Sequence, residues 1–328
     1  MIITKAFHFI LKASRKIYSS IFPPKPPSVD LTSADEASDA IYQLLTTDKP
    51  CMVARFGSTE LNAIVNYIGV RDHHVKIWDF ITRHAPQWWW NENSILQMRD
   101  FSGFFPPTRE AICRFSEMML ADMQQVDILG SWRPEERFVA DQIKSATTVP
   151  LLCLEPYWAK NPWSRALEGK NVLVVHPFAD SIRQQYENRT LLFEDQRVLP
   201  TFKELHVIKA VQSLGGESNG FKDWFEALEW MKSEMDKTDY DIALIGCGAY
   251  GFPLAAHAKR MGKKAIHLAG ALQLLFGIKG KRWESPDYGA KNFGIVGLYP
   301  KLMNNNNWIY PSTAETPHKA NAVEGACY

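Results

Sequence analysis

The chain reads as an α/β protein with a Rossmann-like, mostly parallel sheet, flanking helices and an added N-terminal amphipathic helix. Three observations carry that reading. Short apolar runs rich in β-branched residues recur along the 328 residues, and helical stretches separate most of them. Several runs are apolar throughout instead of alternating, as strands are when helices cover a sheet on both faces.

Taken in order, Thr32 or Ser33 supplies a capping hydroxyl for a helix running to about Leu45. CMVARF (51–56) is a buried strand, and Ser58 opens a helix with Leu61, Ile64, Val65 and Ile68 at helical spacing. Residues 70–107, rich in Trp and Phe, show no clear period and read as an irregular insertion. Helices follow over about 108–123 and 134–145, with strands near 126–130 and 149–154. Four more strands complete the set: NVLVVHP (171–177), ELHVIKA (204–210), DYDIALIG (239–246) and KKAIHLAG (263–270).

The composition bounds the function. With 37 Lys plus Arg against 36 Asp plus Glu, the chain lacks the global positive field that would hold nucleic acid by its phosphates. Five cysteines, with no C-x-x-C pair, argue against a disulfide framework or a structural zinc site and fit a reducing cytoplasm. The eleven tryptophans, including Trp88, Trp89 and Trp90, suit either core anchoring or a carbohydrate or lipid-linked partner. Length alone allows a subdivision of the body near residue 150.

Residues 1–27 stand apart as an amphipathic basic helix and a Pro-rich hinge, before a body at 28–328. Ile3, Phe7, Ile10, Ile17 and Ile21 fall on one side of the wheel, and Lys5, His8, Lys12, Arg15 and Lys16 on the other. Charge interrupts the stretch too often for it to cross a bilayer. Residues 1–22 therefore either lie on a membrane surface or dock on the protein's own body.

In parallel α/β sheets, ligands sit beyond the carboxyl ends of the strands, so three strand-to-helix junctions draw the chemistry. Gly246, Gly248 and Gly251 form a G-x-G-x-x-G run between a strand and a helix, the context in which backbone approaches a diphosphate. No acid stands where a dinucleotide ribose would need one, which disfavours a dehydrogenase. His176 ends a strand before a helix whose start, at Asp180 and Ser181, suits an anion or a cap. At the third, Arg55 ends a strand, Gly57 and Ser58 turn the chain, and Glu60 sits in the first helical turn. Downstream, Lys279, Lys281 and Arg282 in GIKGKRW either close on phosphates or form a solvated charge run.

Here the sequence resembles a family. MVARFGSTELNAI looks like the R-F-G-D-G-E segment of bacterial glycosyltransferases with the GT-D fold. HPFADSIRQQY, IGCGAYGFPLA and the terminal VEGACY look like a GT-D-like branch of surface-polysaccharide biosynthesis. The likeness covers about 50–328. The family's D-x-E falls on Ser58, Thr59 and Glu60, so the first carboxylate is missing.

The resemblance implies transfer of a sugar from a nucleoside diphosphate donor, a UDP-sugar foremost, to a glycan or lipid-linked glycan at the cytoplasmic face of the plasma membrane. Arg55, Gly57, Ser58, Ser181, Gly246, Gly248, Gly251, Lys279 and Arg282 are the expected donor contacts. Glu60 is the expected donor or metal contact, and the acceptor base is open among Asp180, His176 and Glu155. One carboxylate with a hydroxyl is a poor hard-cation site, which weakens the expectation of Mg²⁺ or Mn²⁺. A nucleotide-binding module without turnover and a Rossmann-type methyltransferase are the alternatives.

Overall fold

In the computed structural model, which describes residues 2–73, 75–216 and 219–317 and side chains from Ala6 onward, seven of the apolar runs form one sheet. The strands are β1 (Cys51–Arg55), β2 (Ile128–Ser131), β3 (Thr147–Pro150), β4 (Asn171–His176), β5 (Glu204–Lys209), β6 (Ile242–Ile245) and β7 (Lys264–His267). Their order is β3-β2-β1-β7-β6-β4-β5, and every pairing among them is parallel. β7 sits between β1 and β6, so the halves before and after residue 150 build a single sheet.

The α-helices among the described residues are α1 (Ile2–Ile21), α2 (Ala34–Thr46), α3 (Ser58–Asp72), α4 (Ile77–Ile81), α5 (Glu92–Ser102), α6 (Arg109–Asp122), α7 (Ala140–Ile143), α8 (Ala179–Glu187), α9 (Trp224–Lys237), α10 (Gly251–Arg260), α11 (Leu272–Leu275), α12 (Ala290–Phe293) and α13 (Leu298–Met303). Ser33 caps α2 in a reciprocal box: its hydroxyl accepts the Glu36 N–H, and the Glu36 carboxylate accepts the Ser33 N–H. None of the described helices is long and apolar enough to cross a membrane.

Alternation of side chains along the strands divides the core between the two faces. Met52, Ala54, Leu173 and Ile245 join α3, α6, α9 and α10 on one face. Val53, Val174, Leu244 and Ile266 join α2 and α8 on the other. Both faces are covered, which is why the interior positions of β1, β4, β6 and β7 are apolar on either face.

Three expectations need correction. Residues 70–107 are not irregular: they hold α4 and α5, and Trp88 packs with Phe80 and Leu11 in a small core of its own. The helix expected over 134–145 is a 3₁₀ turn, Pro134–Val139, followed by the short α7. There the Glu136 carboxylate accepts from the Ser131 hydroxyl and the N–H groups of Trp132 and Arg133, holding the turn tight. β3 starts earlier than expected and ends at Pro150, after which Leu151–Leu154 coil as 3₁₀.

Helix α1 is not detached from the body by the prolines that follow it. It docks on the segment from α4 to Trp89: Leu11 is buried, His8 stacks on Trp89 with centroids 4.0 Å apart, and Arg15 donates to the Phe80 and Ala85 carbonyls at 3.1 and 3.2 Å. These anchors make the tryptophan run a packing platform for α1.

Candidate functional site

Beyond the carboxyl ends of the strands lies a cavity of about 880 Å³, within the size range of small-molecule sites. Chain immediately following all seven strands reaches it, and α5 and residues 282–292 close its sides. Connections from β4 and β6 diverge here, β4 leading outward to β5 and β6 back toward β7, which makes their shared boundary a topological switch point.

Of the residues singled out by sequence, Arg55, Gly57, Ser58, Glu60, Glu155, His176, Gly246, Gly248 and Arg282 line this one cavity. Gly57 is the N-cap of α3, and the Glu60 carboxylate folds back so closely that any side chain at Gly57 would collide with it. An acid in the first turn complements the positive end of the helix, so Glu60 serves α3 as well as the cavity wall. The Arg55 guanidinium lies 5.2 Å from the Trp132 ring centroid, and the Trp132 indole N–H donates to the Phe56 carbonyl at 3.1 Å.

Glu155 is the acid on which the charge of Arg55 acts. Its carboxylate accepts from the Tyr299 hydroxyl at 2.6 Å and the Trp158 indole at 2.8 Å. Burial pushes its pKa up to about 7, against the pull of those hydrogen bonds and of Arg55. A carboxyl poised near neutrality on a cavity wall is the environment of a general acid or base.

The two histidines at strand ends are both buried and neutral. Burial lowers His176 to about 3, and its Nδ1 accepts the Phe178 N–H at 3.0 Å. The proton therefore stands on Nε2, and His176 offers the cavity a donor in place of the expected base. His267 is also lowered to about 3, first by burial and then by Arg55. Its Nδ1 lies 3.2 Å from the Ile245 carbonyl, which only accepts, so Nε2 is the bare nitrogen.

The glycine run divides its labour. A Cβ at Gly246 would lie 2.5 Å from the Ala269 carbonyl oxygen and 2.8 Å from the His176 ring, and one at Gly251 would strike the His267 ring. Both are close-packing devices, and Gly251 is not on the cavity wall. Gly248 alone is exposed, lines the cavity and takes a positive φ of 56°.

The start of α8 departs from expectation. Asp180 is exposed, outside the cavity lining, and pairs with Arg183 at 2.8 Å. Ser181 is buried and its hydroxyl donates to Glu315. The same carboxylate accepts the Asp180 N–H at 2.7 Å and the Ser181 N–H at 3.3 Å. The anion at this helix start is thus the chain's own, which removes Asp180 as a base and Ser181 as a donor contact. Lys279 also lies elsewhere, by a shallow depression shared with Glu284 and Tyr310. VEGACY falls outside the described residues.

Among the described residues no three His, Cys, Asp or Glu side chains cluster as a metal site. Glu60 has only the hydroxyl-bearing Ser58 and Thr59 beside it in sequence, so the residues present do not make a hard-cation site of their own. Trp132, Arg133 and His267 line the cavity without having been flagged by sequence. Each ends or follows a strand, and the carboxyl-end rule applied to β2 and β7 would have found them. Comparisons of the chain with protein-family models, curated proteins and solved structures find no match.

Proposed function

We propose that the chain is a glycosyltransferase that moves a sugar from a nucleoside diphosphate donor, a UDP-sugar foremost, to a glycan acceptor in cell-surface polysaccharide synthesis. The observation that carries this reading is the gathering of Arg55, Glu60, Glu155 and Arg282 around one cavity at the carboxyl ends of a parallel sheet. Glycosyl transfer needs cations for a departing diphosphate, a base for the acceptor hydroxyl, and room for both substrates. Arg55 and Arg282 supply the charge. Glu155, raised toward neutrality, takes the proton of the acceptor hydroxyl as its oxygen bonds to the anomeric carbon and the bond to the diphosphate breaks. His176 offers its Nε2–H to a substrate oxygen, and Glu60 bears on the donor. No step requires a metal.

The test is transfer from a labelled UDP-sugar by wild type and Glu155→Gln. The variant keeps the size and hydrogen-bond acceptor of the side chain, so donor affinity should hold while turnover falls about 100-fold or more. Full turnover in the folded variant would remove Glu155 as the base. Thermal stabilisation by NAD or S-adenosylmethionine, with none by any sugar nucleotide, would overturn the proposed activity.

A further inference from the structure

Helix α1 attaches itself by the wrong side. A helix that packs on its own protein normally turns its apolar stripe inward. Here Leu11, only 4% exposed, makes the contact together with the polar His8 and Arg15. On the wheel these three lie within one narrow arc, and Ile10, Ile17 and Ile21 lie within another whose centre is more than a quarter turn away. The stripe consequently remains 60%, 63% and 65% exposed at those three isoleucines.

The element that receives α1 exposes apolar side chains of its own. Trp78 in α4 is 70% exposed, next to an exposed Ile77, while Phe80 of the same short helix turns inward to pack on Leu11. Lys12 and Lys16 are exposed on α1, and Lys76 stands at the start of α4. Residues 2–22 contain Lys5, Lys12, Arg15 and Lys16 and no acid. An exposed apolar stripe with lysines on the opposite, solvated side of the same helix, and a tryptophan on its neighbour, match the composition of elements that lie in the interfacial layer of an anionic bilayer.

We infer that α1 and α4 together form a docking surface for an anionic lipid membrane, with α1 lying in the interface plane and held in register by His8, Leu11 and Arg15. The polar clamp fixes which side of the helix faces lipid, so the docked protein has a defined orientation. Only two residues, Trp90 and Asn91, separate the last docking contact region, at Trp88 and Trp89, from α5, a wall of the cavity. A membrane-bound acceptor and the site would then share one rigid frame. The inference does not depend on the proposed activity, since its readout is binding alone.

The experiment is co-sedimentation of the full chain with vesicles of phosphatidylcholine alone and of phosphatidylcholine mixed with phosphatidylglycerol. Binding should require the anionic lipid. Lys12→Ala with Lys16→Ala should weaken it about 30-fold, at about 1 kcal/mol per cation near an anionic surface. Ile17→Glu with Ile21→Glu should abolish it while melting and circular dichroism stay unchanged, because both positions are solvated. Trp78→Ala should weaken it severalfold, which a surface made of α1 alone would not predict. Absence of wild-type binding to either vesicle, or full binding by the isoleucine variant, would overturn the inference. So would a wild-type dimer that the isoleucine variant splits, since a second copy would then cover the stripe.

Discussion

The turns that follow β4 and β6 begin side by side, Val175 opposite Ile245, and both lead into helices whose free N–H groups favour an anion. At α8 that place is filled: Glu315 comes from the far end of the chain to accept two backbone N–H groups and the Ser181 hydroxyl. At α10 two of three glycines are buried in packing, and of the two that line the cavity only Gly248 is exposed. A helix start is a local property of sequence, while the group that occupies it comes from tertiary structure. The two turns meet at His176, whose ring stands 2.8 Å from where a Gly246 Cβ would be.

Protonating that meeting point should break both turns together, and this is the largest effect expected. His176 and His267 have folded pKa values near 3, well below the ordinary 6.5, because both rings are buried. The unfolded chain takes up their protons first, so their contribution is complete above about pH 6.5 and is lost as pH falls toward 3. Between pH 6.5 and 5 that loss is about 2 kcal/mol per histidine. Glu155, raised to about 7, acts in the opposite sense: its contribution is greatest below the ordinary carboxylate range and is lost as pH rises to 7. Two protons outweigh one, so stability in urea should fall on acidification. His176→Asn should flatten that limb, and an unchanged slope would show that the ring is already charged or solvated.

Emptying the filled turn should come next. Glu315→Ala strands buried donors at Asp180 and Ser181, at a cost of about 2 kcal/mol. Inorganic phosphate should then restore part of the melting temperature of the variant, with little effect on wild type. Equal responses to phosphate in both proteins would show that the α8 start has no anion preference once Glu315 is gone. Gly246→Ala, on the shared boundary, should cost a similar 1–3 kcal/mol by overpacking against the Ala269 carbonyl and His176.

The same division between local and long-range cause decides what could be read in the sequence. Strands β4, β6 and β7 fall where continuous apolar runs place them, because burial on both faces leaves a one-dimensional signature. Helix α5 does not, since only Ser94, Ile95, Met98 and Ser102 of its eleven residues are buried and the rest of its surface is polar or exposed. Its neighbour, the tryptophan run, follows the shape of α1 instead of any period of its own. Arg55, Glu60 and Gly248 could be placed at the cavity from the strand-to-helix rule. Asp180 and Ser181 obey the same rule and fail, because Glu315 lies more than 130 residues away and no local spacing announces it. Glu155 is legible as an acid after a strand, but its raised pKa comes from burial by the surrounding fold, which outweighs the hydrogen bonds from Tyr299 and Trp158.

The smallest effect on stability should come from the open turn, and it is the one that sharpens the contrast most. Gly248 has φ 56°, and a Cβ there would lie 3.3 Å from the Ser102 carbonyl oxygen with no closer obstacle. Gly248→Ala therefore pays mainly for left-handed backbone, about 1 kcal/mol, less than Gly246→Ala at the packed end of the same motif. If the turn into α10 holds a diphosphate as the proposed activity requires, the added methyl should nonetheless weaken donor binding, because it stands on the cavity side where backbone would meet phosphate. The comparison is made by measuring urea unfolding and UDP-sugar affinity on the two alanine variants. A Gly248→Ala protein that keeps both its stability and its donor affinity would reduce the whole glycine run to a packing device, and leave the arginines as the only residues facing the leaving group.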